Sequence, residues 1–459
     1  MKKNRRNVSW YYVAGGVLFL VIAFISIRIF VFHKIKEKII TEINALRSSG
    51  ATVTYDSLYA HPWRNVIGVT NVSIVFPLRK KNCPDSTGNR IAVASIKISG
   101  FSIFSIVFNK RVHVDDVILV SPVVRYSGEH AMKRSQNPGK GKINGVRVGH
   151  FKVTGANINL LDSATCTPQY QVDFDLLLNG LTLNDLTKSS PSWQLQDLIV
   201  SSFRMKLPKS FYTFTMLNAS YHSTDKSLSL DSVKVIPEFD RLTFAEKTGI
   251  QTDRITASIP SIVADGVEIG HTLNPSFYTR SVKLNFLVDV FRDKRFPVAY
   301  KKTRMLPVRF LRAISIPLQI DTVVLEKSHI KYEEFPDDGP TAGHVSFENL
   351  TAVIRNVSNN STEPSTMDTY AKFMNEGALN VHFTFPSAPD KAYTVHGALT
   401  GFNLPAINPM LMPVAHAQIK SGNLKELKFQ FEYNDYRSDG TLTMDYNDLN
   451  MVSLAKNSN

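Results

Sequence analysis

The sequence lacks the patterns from which enzymes build active sites. It contains neither a His-Glu-x-x-His metal motif nor a Gly-x-Ser-x-Gly nucleophile elbow, and the glycines at Gly139 and Gly141 do not have P-loop spacing. The 12 histidines are dispersed along the chain. The acidic pairs Asp115–Asp116 and Asp337–Asp338 fit β-turns better than metal ligands. We therefore expect a protein that is not an enzyme and that needs no metal or cofactor.

Cysteine is scarce, because the chain has only 2, Cys83 and Cys166, each beside turn-forming residues. Two loop cysteines in an exported domain are a candidate disulfide, and two free thiols are the alternative. The sequence leaves both interpretations open.

A dense positive charge is also missing from most of the chain. The formal net charge is +14, but half of it lies in residues 1–38. The longer remainder is only mildly basic, so we expect no nucleic acid as a partner. The concentrated charge suits the flanks of a membrane segment instead.

One long hydrophobic run is present, the 20 uncharged residues Val8–Ile27. About 20 apolar residues in a helix span the hydrocarbon core of a bilayer. The run exceeds the usual signal-peptide core of about 7 to 15 residues, and no small-residue cleavage site follows it. We expect residues 1–33 to form a cytoplasmic tip and an uncleaved transmembrane anchor, with the bulk of the chain across the membrane.

Residues 34–50 show the pattern of an amphipathic helix. Ile35, Ile39, Ile43 and Leu46 recur at steps of three and four residues. We favour a stalk helix packed on the rest of the protein, and a helix lying on the bilayer surface is the alternative.

From Gly50 onward, apolar and polar residues alternate in many short segments bounded by turn formers. Period-two alternation is typical of strands with one buried face. The predicted fold class is therefore mostly β: an N-terminal transmembrane helix followed by an elongated, twisted antiparallel sheet of repeated hairpin-like units. Since a sheet must cover at least one face, we expect either a sandwich or a groove occupied by something apolar.

Three 15-residue segments repeat one pattern: Val112–Tyr126, Val146–Leu160 and Leu318–Tyr332. Apolar or aromatic residues coincide at positions 1, 3, 6, 8, 13 and 15, and a turn former stands at position 10 or 11. Each unit predicts strand, kink, strand, and the step from position 3 to position 6 predicts a bulge or bend. The candidate lining of an apolar groove consists of Val112, Val114, Val117, Leu119, Val146, Val148, Phe151, Val153, Leu318, Ile320, Val323 and Leu325.

The basic segment Val288–Arg312 is a poor domain interior, so we predict a boundary near residue 290. This boundary divides the β-rich part into residues 51–290 and 291–459. The segment is either a solvated connector or a contact with anionic lipid headgroups or an acidic polymer. The membrane-facing candidates in it are Arg292, Lys294, Arg295, Lys301, Lys302 and Arg304.

Two segments carry a family resemblance. Within Ile316–Ser358 the matching residues include Pro317, Asp321 and Tyr332, and the C-terminal match begins with Gly401–Pro413. With the repeats and the hydrophobic run, this ordered series resembles the AsmA-like family of bacterial envelope proteins, especially its Bacteroidetes-type members. The chain departs from many members by ending soon after its final Tyr-x-Asp-Leu element, which begins at Tyr446.

The resemblance implies a single-pass protein of the bacterial inner membrane whose bulk lies in the periplasm. It implies a β-groove that carries or shields lipid acyl chains during outer-membrane assembly or phospholipid transport. The expected partners are membrane lipids, with other envelope proteins as a further class. A non-catalytic β-sandwich adaptor that binds other envelope proteins is the main alternative, and an anchored hydrolase of envelope polymers is a third hypothesis.

Overall fold

Strands dominate the chain, as the alternation predicts. The computed structural model describes residues 7–48, 50–76, 89–102, 111–127, 145–162, 165, 167–184, 192–270, 276–298, 306–388 and 391–454, and of residues 7–20 the backbone only. Cys83 and Cys166 lie outside the described residues, so the candidate disulfide stays a prediction. The chain forms two compact units, Met1–Gln196 and Asp197–Asn459.

The first unit combines the long helix α1 (Asn7–Ser48) with a sheet. Its described strands are β1 (Thr52–Thr54), β2 (Ser57–His61), β3 (Val66–Val75), β4 (Arg90–Ser99), β5 (Arg111–Val120), β6 (Val123–Tyr126), β7 (Gly145–Leu161), β8 (Pro168–Asn184) and β9 (Ser192–Gln194). Strands β5 and β6 run parallel to β7, and the other described pairs within this unit are antiparallel.

The second unit is a larger sheet with short helices. Its described strands are β10 (Asp197–Leu207), β11 (Tyr212–His222), β12 (Ser227–Pro237), β13 (Asp253–Asp265), β14 (Glu268–Ile269), β15 (Phe277–Leu284), β16 (Leu287–Asp293), β17 (Leu318–Phe335), β18 (Gly343–Ser358), β19 (Ser365–Phe373), β20 (Gly377–Phe385), β21 (Tyr393–Asn403), β22 (Ala417–Tyr433) and β23 (Ser438–Ser453). Its described helices are α2 (Arg241–Thr248), α3 (Pro307–Arg312), a 3-10 helix (Leu404–Ile407) and α4 (Asn408–Ala415).

The sheets are mixed, whereas the sequence predicted an antiparallel arrangement. Strands β15 and β16 run parallel to β17, as β5 and β6 do to β7. In the first unit, two copies of the repeat are neighbours in the sheet, and each position of one copy lies opposite the same position of the other. Val112 is therefore opposite Val146, and Tyr126 is opposite Leu160. Parallel neighbours need a long connection, and residues 127–144 supply that length in the sequence.

The repeat contains the predicted kink. Position 10 of the three copies is Ser121, Gly155 or Lys327, and all three have left-handed backbone, with φ of +48°, +63° and +47°. The register shifts beside Gly155 and beside Lys327. An extra residue in one strand bends it and re-aims the side chains that follow.

A second interruption lies between positions 3 and 6, where the sequence predicted a bulge or bend. The ladder between β17 and β18 passes over Asp321 and Asn356 without a change of register, and Asn356 has a φ of +58°. Ile320 and Val357, which lie beyond this point, pack on the same apolar cluster as Val323. The interruption therefore lets Ile320, at position 3 of the repeat, and Val323, at position 6, pack in the same cluster.

The chain divides into its two units between Gln196 and Asp197. Residue 290 lies within β16, which pairs with β13 on one side and with β17 on the other. Strand pairing uses backbone groups, so the basic side chains after β16 did not prevent this segment from joining the sheet.

Helix α1 packs on the first unit through its C-terminal half. Phe32 is only 1% exposed and meets the ring of Phe101 edge-on at 5.9 Å. The Nε of Arg28 donates a hydrogen bond to the carbonyl oxygen of Pro62 at 2.7 Å, and Nη2 of Arg47 donates to the carbonyl of Val53 at 2.8 Å. The contact of Arg47 supports the stalk interpretation of residues 34–50, and those of Arg28 and Phe32 lie in the segment before it.

Within the described ranges, no helix is both long and apolar enough to qualify as a membrane span. The side chains of residues 7–20 lie outside those ranges. The anchor at Val8–Ile27 therefore stays a prediction.

We expect Phe32→Ala to lower the free energy of unfolding by about 3 to 5 kcal/mol, because it leaves a cavity in the contact between helix and sheet. Phe30→Ala is the matched control, since Phe30 is 60% exposed and should change stability by about 0.5 kcal/mol or less. Chemical denaturation followed by circular dichroism measures both variants. Equal effects would show that α1 does not pack on the sheet as described.

Candidate functional site

Apolar side chains form continuous rows across the sheet of the first unit. Residues directly opposite each other on neighbouring strands share one face of a sheet, so a chain of direct partners stays on that face. One such row consists of Leu58, Val69, Ile96, Leu119, Val153 and Leu176. The adjacent row consists of Ala60, Ile67, Ile98, Val117, Phe151 and Leu178.

The second unit repeats this arrangement over more strands. Its longest row contains Leu198, Tyr221, Leu228, Ala264, Val282, Val323, Ile354, Met367, Phe383, Val395 and Phe431. A second row contains Leu230, Ile262, Leu284, Leu325, Ala352, Thr369, Val381, Gly397, Phe429 and Leu442. We call the faces that carry these rows the apolar faces of the two units.

Six of the twelve predicted lining residues stand in these rows: Val117, Leu119, Phe151, Val153, Val323 and Leu325. Val112 and Val114 pair with Val146 and Val148. These four residues precede the interruption between positions 3 and 6 of the repeat, and the row residues follow it. Leu318 is opposite Phe277, and Ile320 is opposite Val357. The repeat therefore identified part of the apolar faces, and the rows on β10 to β13 and β19 to β23 were missed because those strands lack the full 15-residue pattern.

The opposite face of the second unit is largely polar. Asp368, His382, His396, Gln430 and Thr441 are direct partners on five neighbouring strands. In the first unit, Ser99, Asp116 and His150 form a similar row, with hydrogen bonds of 3.0 and 3.2 Å to the Asp116 carboxylate. The sheets are therefore amphipathic, with one face suited to water and one to apolar material.

Described helices cover the apolar face of the second unit only in part. Leu404 of the 3-10 helix lies in a buried cluster with Leu399, Phe402, Ile419 and Leu424, and Leu411 of α4 packs against it. Elsewhere the row side chains range from buried Ala264, at 1% exposure, to Leu442, at 57%. The described helices of the second unit have eight residues or fewer, which is too short to cover its fourteen described strands.

Helix α3 closes one margin of this face. The backbone N–H of Val308 donates to the hydroxyl of Tyr393 at 3.1 Å, and Arg309 forms an ion pair of 2.6 Å with the buried carboxylate of Asp435. Beside this margin, a hollow of about 590 Å³ is lined by Phe383, Val395 and other apolar row residues together with the turn after Tyr433. The hollow thus combines apolar side chains with the polar groups of a turn.

The polar face also has a hollow, of about 840 Å³, which contains Asp368, His382 and His396. Nδ1 of His382 lies 2.7 Å from Asp368, and its Nε2 lies 3.5 Å from the hydroxyl of Thr384. The hydrogen bond from His382, followed by that from Arg355, holds the pKa of Asp368 below its ordinary value. His382 and Asp368 thus form a cross-strand hydrogen bond. The backbone N–H groups that could form an oxyanion hole here are engaged in the ladder on both sides.

The basic residues proposed to face a membrane are paired where the structure describes them. Arg292 binds Asp253 through Nε at 2.7 Å, Lys294 binds Glu334 at 2.6 Å, and Arg295 binds Asp293 at 2.6 Å. These pairs neutralise the charges locally and favour a structural role. Lys301, Lys302 and Arg304 lie outside the described residues.

The comparisons with protein-family models and with curated proteins found no match for this chain.

The hydrogen bond between Tyr332 and Glu334 can be tested through its pH dependence. Its hydroxyl donates to Glu334 at 2.8 Å, and burial followed by this hydrogen bond raises the pKa of Tyr332 to about 12. A folded-state pKa above the unfolded value of about 10 stabilises the fold at lower pH, and that contribution disappears as the pH rises from about 10 towards 12.

We therefore expect Tyr332→Phe to be less stable than the wild type by a constant difference below pH 10, and this difference should shrink between pH 10 and about 12. Urea denaturation across this range measures the difference, with Tyr446→Phe, at an exposed position, as control. A difference that stayed constant up to pH 12 would contradict the assigned environment of Tyr332.

Proposed function

We propose that the protein is a membrane-anchored periplasmic protein of the bacterial inner membrane that shields phospholipid acyl chains on its apolar faces during outer-membrane biogenesis. The observation that carries the proposal is the set of predominantly apolar rows, which run from strand to strand and have few described helices over them. The resemblance to AsmA-like proteins points to the same function.

The energetics of such a face favour a lipid as its cover. Each methylene group removed from water contributes roughly 0.8 kcal/mol. Side chains such as Phe383, Phe429 and Phe431 are half-buried, and the ring of Phe429 stacks on that of Phe431 with their centroids 5.9 Å apart. An acyl chain laid across several strands would bury both its own methylenes and these side chains.

The exposed apolar side chains of α1 support the proposed membrane anchor. Large apolar side chains at its described positions point away from the protein, including Phe24 at 58%, Ile27 at 51% and Phe30 at 60% exposure. A cluster of exposed apolar side chains on a helix is costly in water and favourable in a bilayer. The helix would hold the sheet next to the membrane from which lipids are drawn.

An adaptor role is the second candidate, and strand β23 favours it. This strand pairs with β22, and most of its side chains are exposed, including Leu442, Tyr446 and Met451. A long exposed strand can add a strand from another protein. Crosslinking in cells that recovered one protein partner and no lipid would favour this role over the first.

A pair of adjacent substitutions tests lipid binding. Phe429 belongs to the apolar face, whereas Gln430 belongs to the polar face, because successive residues of a strand point to opposite sides. We expect Phe429→Lys to reduce co-purified phospholipid about tenfold, since exposing only two methylene groups costs about 1.6 kcal/mol. Gln430→Lys should retain the lipid.

Mass spectrometry of lipids extracted from the full-length protein, purified in mild detergent, provides the measurement. Circular dichroism of both variants verifies that they fold. Equal lipid content in the two folded variants, or no lipid in the wild type, would contradict the proposal.

A further inference from the structure

The turn between β2 and β3 exposes a tryptophan beside helix α1. Trp63 is 66% exposed, and Arg64 next to it is also exposed. The turn is well ordered around them. The N–H of Asn65 donates to the carbonyl of Pro62 at 3.2 Å, and the side-chain amide of Asn65 donates to the carbonyl of Phe101 at 3.1 Å. A large aromatic side chain held outward by a fixed turn is suited to contact another surface.

The height of this turn along α1 is fixed by direct contacts. Arg28 binds the carbonyl of Pro62 at 2.7 Å, and Phe32 packs against Phe101. Residues 28–32 follow immediately after the predicted span Val8–Ile27 and extend about 6 Å along the helix. The headgroup layer on each side of a bilayer is roughly 5 to 7 Å thick. If the span crosses the hydrocarbon core, the turn therefore lies at headgroup level.

We infer that Trp63 and Arg64 form a contact with the headgroup layer of the bilayer that holds α1. Tryptophan is enriched at this depth because its ring is apolar and its N–H is polar, and an arginine beside it attracts anionic phospholipid headgroups. The inference rests on the anchor in the proposed function and adds a second point of attachment to it.

This contact would orient the sheet on the membrane. Strands β2 and β3 contribute the first members of both apolar rows of the first unit, Leu58 with Val69 and Ala60 with Ile67. The turn joins these two strands, so the contact places the beginning of the apolar face against the membrane surface. A phospholipid leaving the bilayer would meet this margin of the face first.

Tryptophan fluorescence in vesicles tests the contact, since the chain has only 3 tryptophans. The full-length Trp10→Phe, Trp193→Phe variant retains Trp63 alone. The matched Trp10→Phe, Trp63→Phe variant retains Trp193, which is half-buried on β9 opposite Leu183. Both are reconstituted into vesicles of phosphatidylethanolamine and phosphatidylglycerol whose acyl chains carry bromine near the headgroup.

We expect about a twofold loss of Trp63 emission relative to unbrominated vesicles and little loss of Trp193 emission. Co-flotation with the vesicles reports the anchor independently. Flotation with unquenched Trp63, or with equal quenching of Trp63 and Trp193, would overturn the headgroup contact and leave the anchor intact. Failure to float would overturn both the anchor and the contact.

Discussion

Cross-strand register is the constraint on which the rest of the structure depends. A slip of one residue would move every side chain of a strand to the opposite face. The rows through Val323 and Ile354, and through Val117 and Phe151, stay apolar only because each ladder keeps its register between interruptions. Residues with a left-handed backbone conformation, such as Gly155 and Asn356, lie at those interruptions. They bend the strand and return its apolar residues to the shared face.

The amphipathic sheet explains how an apolar surface can be maintained beside water. Cross-strand pairs such as Asp368 with His382 and Asp116 with His150 occupy the polar face. Short helices close only particular margins of the other face, as the contact between Val308 and Tyr393 illustrates. Between these margins many side chains of the apolar rows remain partly exposed, and in the proposed function acyl chains cover them.

The sequence predicts the β class, the kinked repeat and half of its candidate lining residues in the rows, because side-chain alternation and turn formers are local signals. It did not predict the parallel pairs or the division at Gln196, since both depend on which strands meet after long connections. Arg292, Lys294 and Arg295 look like a free basic patch in sequence, and their partner carboxylates become visible only when β13 and β17 flank β16. The polar rows were missed because their members are scattered singly over several strands.

The central claim is that lipid contacts one face of the sheet and not the other, and site-specific photocrosslinking tests it directly. A photoreactive phenylalanine analogue is introduced at Ile354, Met367 and Phe383, and separately at their neighbours Val353, Asp368 and His382. In cells whose phospholipids carry radioactive phosphate, the first three positions should yield labelled protein and the second three should not. Labelling at both sets, or adducts with protein alone at the first set, would contradict the account.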